Sequence, residues 1–323
     1  MHYIALPDEK KRILPFYLAM EEYVAYNIDE DDCFFMWQVE PTVIFGRNQL
    51  IENEVNISYC KEHDIQMYRR KSGGGCVYSD MSNLMLSYIT KDDNVNFTYN
   101  RYTNLIVLML LKLNIEATSN GRNDIMIGNK KLSGNAFYHV SGRNIVHGTL
   151  LYDTDIENMT NAITPSNEKL TSKGVQSVRQ HIALLKDYTP LSLEDVKHHI
   201  RHSICKDEIM LTNDDVRKIE DIMQEYLTED FIYGKNPSYT LKRRRRIENV
   251  GEFEIQMELK NNIIKKINIM GDFFLIGDID RKILSPLKGV RLERQQLEEV
   301  LPDDMENIIM NLKKDELINI ITE

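Results

Sequence analysis

GRNDIMIGNKKLSGNAF, residues 121–137, is the stretch that decides the fold. Two short runs of strand composition, 124–127 and 130–133, flank Gly128-Asn129, a pair suited to the positive-φ positions of a tight hairpin. A second hairpin follows, with Ser141-Gly142 between runs at 136–139 and 144–152. On the later run His147, Thr149 and Leu151 share one face, because side chains alternate along a strand. Toward the N-terminus, Leu84, Leu86 and Tyr88 alternate with Met85, Ser87 and Ile89 as another strand. Residues 33–37 and 42–46 give two more, joined by Val39-Glu40-Pro41. Ile13, Phe16, Tyr17, Met20, Tyr23 and Val24 fall at helical spacing with Glu21 and Glu22 opposite, which predicts a core-facing helix with Pro15 in its first turn. Residues 99–113 are apolar and too long for a strand, which predicts a buried helix. Strands and helices mix without strict alternation. The fold class expected is therefore α+β, a mixed, largely antiparallel sheet with flanking helices.

From Thr160 to about Leu227 the pattern is helical and charged, and GKNPSY (234–239) and KRRRR (242–246) interrupt it. Beyond them residues 252–259 alternate, Asn261-Asn262 make a turn, 263–269 resume as a strand, and 291–300 form an amphipathic helix. A chain of 323 residues can build two cores, so the expected division is a large N-terminal domain, 1–240, and a small C-terminal α/β domain, 247–323. A net charge of −10 argues against nucleic acid and anionic membrane as partners. The start lacks a basic segment followed by a long apolar one, and no run of 18 apolar residues occurs, so a cytoplasmic protein is expected; a monomer is the expected state. Cys33, Cys60, Cys76 and Cys205 lack the spacing of a zinc site or a disulfide framework. The first, second and fourth are expected as small buried side chains.

Chemistry concentrates in two places. RRKSGGGCVYSD, residues 69–80, carries three glycines that leave the backbone open to a ligand, with Arg69 and Arg70 upstream where a guanidinium can fork onto phosphate. A surface turn is the plainer alternative. Lys131 sits just after the Gly128-Asn129 turn and stays cationic at neutral pH, so its natural role is stabilising negative charge. Lys130 should point the other way. Asp124, after Asn123, offers oxygen to Mg²⁺, although Asn-Asp before a strand is also ordinary turn chemistry. His147 can donate to a carboxylate or phosphate oxygen or be a satisfied structural histidine. Asn83 either contacts a nucleotide or caps its strand. Cys76 is either a nucleophile or a small filler in the glycine loop. The run 242–246 reads as a solvated linker or a dock for an acidic protein.

Together these blocks resemble the lipoate–protein ligase A family of the biotin/lipoate ligase superfamily. The resemblance rests on EPTVIFGRNQ (40–49) with Glu54-Val55-Asn56, RRKSGGGCVYSD, GRNDIMIGNKKLSGNAF, HGTLLYD (147–153) and KLTSKGVQSVR (169–179). GKNPSY, NVGEFEI, INIMGDFF and LKGVRLE extend it through the C-terminal region. It implies a class II synthetase/biotin ligase-like catalytic domain and a two-step reaction. Lipoate and Mg-ATP give lipoyl-AMP and pyrophosphate, and the lipoyl group passes to a lysine of a 2-oxo acid dehydrogenase E2 lipoyl domain or of the glycine cleavage H protein. It further implies that Gly73, Gly74 and Gly75 pack against the lipoyl chain, that Arg70 and the run Gly75, Cys76, Val77 and Tyr78 hold the nucleotide, and that Ser72 belongs to the same substrate and nucleotide set. Asn83, Asn123 and His147 join this binding set, Asp124 is the metal ligand, and Lys131 contacts both carbonyl and phosphate. Three departures stand out: Cys76 for a usual alanine, Ser79 for a usual histidine, and QHIALL after the block ending at Arg179. A transferase working through a cysteine thioester, a biotin ligase and a non-catalytic lipoyl-binding protein remain as alternatives.

Overall fold

The computed structural model describes residues 1–49, 51–91, 94–120, 123–163, 180–233, 241–260 and 262–322. Eleven strands precede residue 211 among these: β1 (His2–Ala5), β2 (Asp32–Trp37), β3 (Thr42–Phe45), β4 (Gln66–Arg69), β5 (Val77–Ser79), β6 (Leu84–Thr90), β7 (Thr118–Ser119), β8 (Asp124–Ile127), β9 (Lys130–Val140), β10 (Arg143–Leu150) and β11 (Asp207–Met210). Eight form one sheet in the order β11-β1-β2-β6-β10-β9-β8-β7. Only its β11-β1-β2 edge is parallel. A second sheet, β4-β3-β5, runs beside it, so β2 and β3, adjacent in sequence, pair with different partners. Mixed sheets with flanking helices are what the sequence predicts.

Both predicted hairpins form. Gly128 takes φ 55°, and Ser141 and Gly142 take 51° and 72°. The runs at 130–133 and 136–139 are one continuous strand, β9. A register shift between Ile125 and Met126 sets Asp124 opposite Gly134 instead of opposite a larger residue. That slip matters for the site.

The helix Leu14–Asn27 starts with Pro15 in its first turn as expected, but every residue from Leu14 to Ala25 is buried. Glu21 and Glu22 therefore face no solvent, contrary to the helical-wheel expectation. Glu21 accepts hydrogen bonds from Ser87 and His147, while Lys71 and the Tyr226 hydroxyl meet Glu22. The helix Val95–Lys112 is buried on one side only, since Phe97, Leu108 and Leu111 are more than half exposed. The segment 160–227 holds helices Leu193–Ile204 and Asn213–Tyr226, yet between them lies β11, which sequence pattern did not reveal. Residues 164–179, with the KLTSKGVQSVR block, and 234–240, with GKNPSY, lie outside the described residues.

Three further strands, β12 (Leu241–Ile247), β13 (Gly251–Lys260) and β14 (Ile263–Gly271), make a third, antiparallel sheet with a core of its own around Phe253, Ile255, Phe273 and Leu317. The arginine run is thus an edge strand of this C-terminal unit and not a linker. Arg243 donates to the Ile321 carbonyl and Arg244 pairs with Glu252. Among the described residues no helix is long and apolar enough to cross a membrane.

Candidate active site

The β4–β5 connection is the glycine loop, and it owes its shape to two buried arginines. Arg69 donates to the carbonyls of Gly46, Arg47, Gln49, Phe231 and Ile232. Arg70 donates to Ser72 Oγ at 2.9 Å and to the carbonyls of Ile44, Gly73 and Gly75 at 3.0, 2.6 and 2.8 Å. Burial pushes the Arg70 guanidinium down to about 10, which leaves it cationic at neutral pH. Its hydrogen bonds are made to the loop and curl the glycines, while the sequence expectation for Arg70 is nucleotide contact. The curl needs glycine: Gly74 has φ +86°, and a Cβ at Gly46 would collide with the Gly74 carbonyl oxygen.

Beside this loop lies a cavity of about 110 Å³. Leu14, Leu18, Trp37, Ile44, Met85 and Val77 give it apolar walls, and Asn123, Lys131, Asn135 and His147 bring polar groups to it. Such a slot with a few convergent polar groups suits a ligand with an aliphatic body and an anionic end. Trp37 stacks on Tyr17 at 5.0 Å and donates from Nε1 to Ser87 Oγ, which fixes its ring as a wall.

Lys131 is where the hairpin register shows its effect. Its side chain lies across Gly134, where a Cβ would come within 2.8 Å of both Cε and Nζ. Nζ reaches Asp124 Oδ1 at 2.7 Å. The backbone of Lys131 is held by the Ala183 N–H, and Asn135 is tied to the Asn123 carbonyl through both its backbone and its side chain. The K-L-S-G pattern therefore presents a cation that glycine makes room for. Lys130 is exposed on the far side, as alternation predicts.

A buried polar chain backs the cavity. Ser72 Oγ lies 2.7 Å from His147 Nε2, and His147 Nδ1 lies 2.9 Å from Glu21 Oε2. Glu21 also accepts from Ser87, so the helix Leu14–Asn27, the glycine loop and β10 are linked through one carboxylate. His147 thus lines the cavity and is at the same time a satisfied structural group.

The predicted residues divide accordingly. Arg70, Gly74, Gly75, Cys76, Val77, Asn123, Lys131 and His147 line the cavity. Asp124 reaches it through Lys131. Ser72 stands behind His147 and is fully buried. Gly73 packs instead against the Phe273 carbonyl of the C-terminal unit. Tyr78 points away, into a core with Val43, Phe45 and Ile51, because it alternates with Val77 on β5. Asn83 is a strand clamp, donating to Asp80 and Thr154 and accepting from the Tyr152 N–H. Burial pushes the Cys76 thiol far up, with Glu54 adding to the shift, so it is a neutral filler and a poor nucleophile. Among the described residues no three carboxylate, histidine or cysteine groups gather to hold a metal. Glu21, Trp37 and Phe274 went unnoticed in sequence; the paired acids in an otherwise apolar helix were the signal for the first.

Residues 15–205, which contain the cavity's glycine loop and Lys131, match the Lipoyl protein ligase A/B catalytic domain. Residues 236–321 match the Bacterial lipoate protein ligase C-terminus. Lipoate–protein ligase 1 of Staphylococcus aureus is 36% identical over 315 residues, 94% of this chain and 95% of that one. The lipoate-protein ligase LplJ of Bacillus subtilis is 33% identical over 317 residues, again 94% and 95%. The chain belongs to the lipoate–protein ligase family. Its fold is also that of P. falciparum LipL1, solved in complex with lipoate, at a TM-score of 0.80 and 21% identity over 100% of this chain and 99% of that one. A lipoate-protein ligase A solved with ATP bound gives 0.62 and 22%, covering 72% and 98%.

Proposed function

We propose that this chain is an ATP-dependent lipoate–protein ligase whose acyl slot is the cavity beside the glycine loop and whose charge-stabilising group is Lys131. The lipoate carboxylate attacks the α-phosphorus of ATP, pyrophosphate leaves, and lipoyl-AMP remains in the slot. The amine of an acceptor lysine then attacks the acyl carbon, AMP departs with the acyl–oxygen electron pair, and the amide loses a proton to solvent. Acceptors are lipoyl domains of 2-oxo acid dehydrogenase E2 subunits or the glycine cleavage H protein. The enzyme acts as a cytoplasmic monomer.

Negative charge builds at the phosphorus in the first step and at the carbonyl oxygen in the second, and one cation between them serves both. The observation that carries this reading is Lys131 Nζ, laid across Gly134 and held 2.7 Å from Asp124 at the polar side of an apolar cavity. Leu14, Leu18, Trp37 and Met85 would hold the aliphatic tail and exclude water. Asn123, Gly75 and Cys76 would border the nucleotide, while Arg70 keeps the loop in shape. Magnesium in nucleotide sites is commonly held by one carboxylate plus substrate phosphates, a donor set that Asp124 with bound ATP satisfies, and it would neutralise phosphate charge there. Asp124 would then be shared between the metal and Lys131, whose ammonium it meets at 2.7 Å.

Pyrophosphate release from Mg-ATP, with lipoate and without acceptor, tests the proposal. Wild type should release it only when lipoate is present, and Lys131→Ala should lower the rate by about 10²–10³-fold. A folded wild-type protein that releases none, or a variant that matches it, would refute the assignment.

A further inference from the structure

Resting on that reading, we propose that Asn135 is a positioning residue, which acts through Asn123 and Asp124 to hold the Lys131 ammonium at the polar side of the cavity. Asn135 lies on β9 beside Gly134, the glycine that Lys131 crosses, and is only 3% exposed. Its backbone N–H and its side-chain Nδ2 both donate to the Asn123 carbonyl, at 2.9 and 3.0 Å. A carbonyl can only accept, so the amide nitrogen must face Asn123, and Oδ1 takes the Ser133 hydroxyl at 3.2 Å. Both amide atoms are thus engaged by protein, and Asn135 reaches the reaction only through its neighbours. Asp124, the next residue after Asn123, starts β8 opposite Gly134 with Oδ1 2.7 Å from Lys131 Nζ. The clamped carbonyl is therefore one peptide away from the carboxylate that holds the cation.

Two asparagines grip this corner from opposite sides. Asn120 is exposed. Its Oδ1 accepts from the Asn123 and Asp124 N–H groups at 3.2 and 3.1 Å, and its Nδ2 donates to Asp124 Oδ2 at 3.2 Å. Water can take over bonds at such a surface position, whereas the grip of a buried amide has no equivalent substitute. Strand β10 is shaped around that amide. Gly148 pairs with Asn135 across the ladder, and a Cβ there would stand 1.8 Å from Asn135 Oδ1. The backbone of Gly148 lies outside the left-handed region, so its conformation does not call for glycine. Close approach of the Asn135 side chain does. The glycine of the His147-Gly148-Thr149 motif is thereby explained by a clamp on the lysine hairpin.

Acetylation of the full-length protein by acetic anhydride, resolved by mass spectrometry, reads the Lys131 amine with no substrate present. Engagement with Asp124 slows it in wild type, and exposed Lys130 is the internal reference. Asn135→Ala should raise the Lys131 rate about threefold relative to Lys130, the size expected for a loosened ion pair. In lipoate-dependent pyrophosphate release its kcat should fall about 10–10²-fold while KM for lipoate stays within about twofold, because the charge is misplaced and the apolar walls are untouched. Asn135→Ser, whose hydroxyl is too short to reach Asn123, should change both readings in the same direction and is the folded probe if alanine loosens the protein. Gly148→Ala should also lower kcat and speed Lys131 acetylation, because its methyl displaces the amide. Combined with Asn135→Ala it should be no worse than Asn135→Ala alone, since the nearest remaining obstacle is the Tyr102 hydroxyl at 3.1 Å. A folded Asn135→Ala or Asn135→Ser with either wild-type Lys131 acetylation or wild-type kcat overturns the proposal. So does a raised KM at unchanged kcat, which would make Asn135 a wall of the slot, and so do losses that multiply in the double variant. Wild type that releases no pyrophosphate with lipoate overturns the ligase reading instead, and acetylation then decides the positioning by itself.

Discussion

Cys76 separates two chemistries that share this fold. A transferase passing the acyl group through a thioester needs a thiolate at the slot, and Cys76 is the one cysteine among the lining residues. Its burial favours the neutral thiol, as burial alone does for Cys60, whose thiol is pushed up to about 11. Cys33 and Cys205 are likewise pushed up to about 11, burial being the main cause. The sign of the linkage follows. Below the ordinary thiol value both folded and unfolded chains are protonated and the thiols have no effect on stability. As pH rises above about 9, the unfolded chain ionises first, and stability falls until the folded thiols ionise too. The urea midpoint should therefore drop between pH 9 and 11, and Cys60→Ala should make that drop shallower. An unchanged pH slope in the variant would show that Cys60 is not shielded. Cys76→Ser should keep lipoate-dependent pyrophosphate release, since no step uses its sulfur.

At the level of elements, sequence showed best what local rules determine. Gly128-Asn129 and Ser141-Gly142 marked both hairpins because few residues tolerate the positive φ that Gly128, Ser141 and Gly142 adopt. Alternation marked β6 and β13 because each presents regular contrast or sustained apolarity. The site was legible as motifs, and Lys131, Asn123 and His147 do meet in one cavity. Long-range pairing was not legible. β1 and β11 are four residues each, too short to show a period, and they find each other across some 200 positions. Glu21 looked solvated because hydrophobic spacing cannot tell a wet acid from one met by Ser87 and His147 inside the core. The arginine run looked like a linker because charge on an exposed edge masks strand character, and such charge is how edge strands resist pairing with other chains. That strand also concentrates positive charge on a chain of net −10, which favours it as the place where an acidic acceptor is steered in. Replacing exposed Lys242, Arg245 and Arg246 with serine should raise KM for the acceptor several-fold and flatten its salt dependence, leaving lipoate-dependent adenylation intact. Equal KM and equal salt slope would remove β12 from the docking surface.

Across the whole molecule, the N-terminal and C-terminal units meet at one seam, and its strength resides in buried backbone contacts more than in charge. Gly74 donates to Phe273 and Gly271 donates to Asn48 across it, at 3.0 and 2.8 Å. The Arg47–Asp280 ion pair spans the same seam but is about half exposed on both sides, and such pairs contribute on the order of 0–1 kcal/mol. Gly73 offers a clean probe. Its backbone lies outside the left-handed region, so alanine is locally tolerated, yet a Cβ there would stand 2.7 Å from the Phe273 carbonyl oxygen and 3.2 Å from the Leu275 nitrogen. Both obstacles are backbone and cannot swing aside, so Gly73→Ala must push the C-terminal unit away or distort the loop. Scanning calorimetry should show the two units unfolding together in wild type and in Asp280→Ala, with the midpoint of the latter within about 2–4 °C. In Gly73→Ala the endotherm should split or broaden, because the units no longer brace each other, and the C-terminal transition should stop responding to lipoate. If Asp280→Ala splits the endotherm while Gly73→Ala leaves it whole, the seam is held by surface charge and the glycine loop does not couple the two cores.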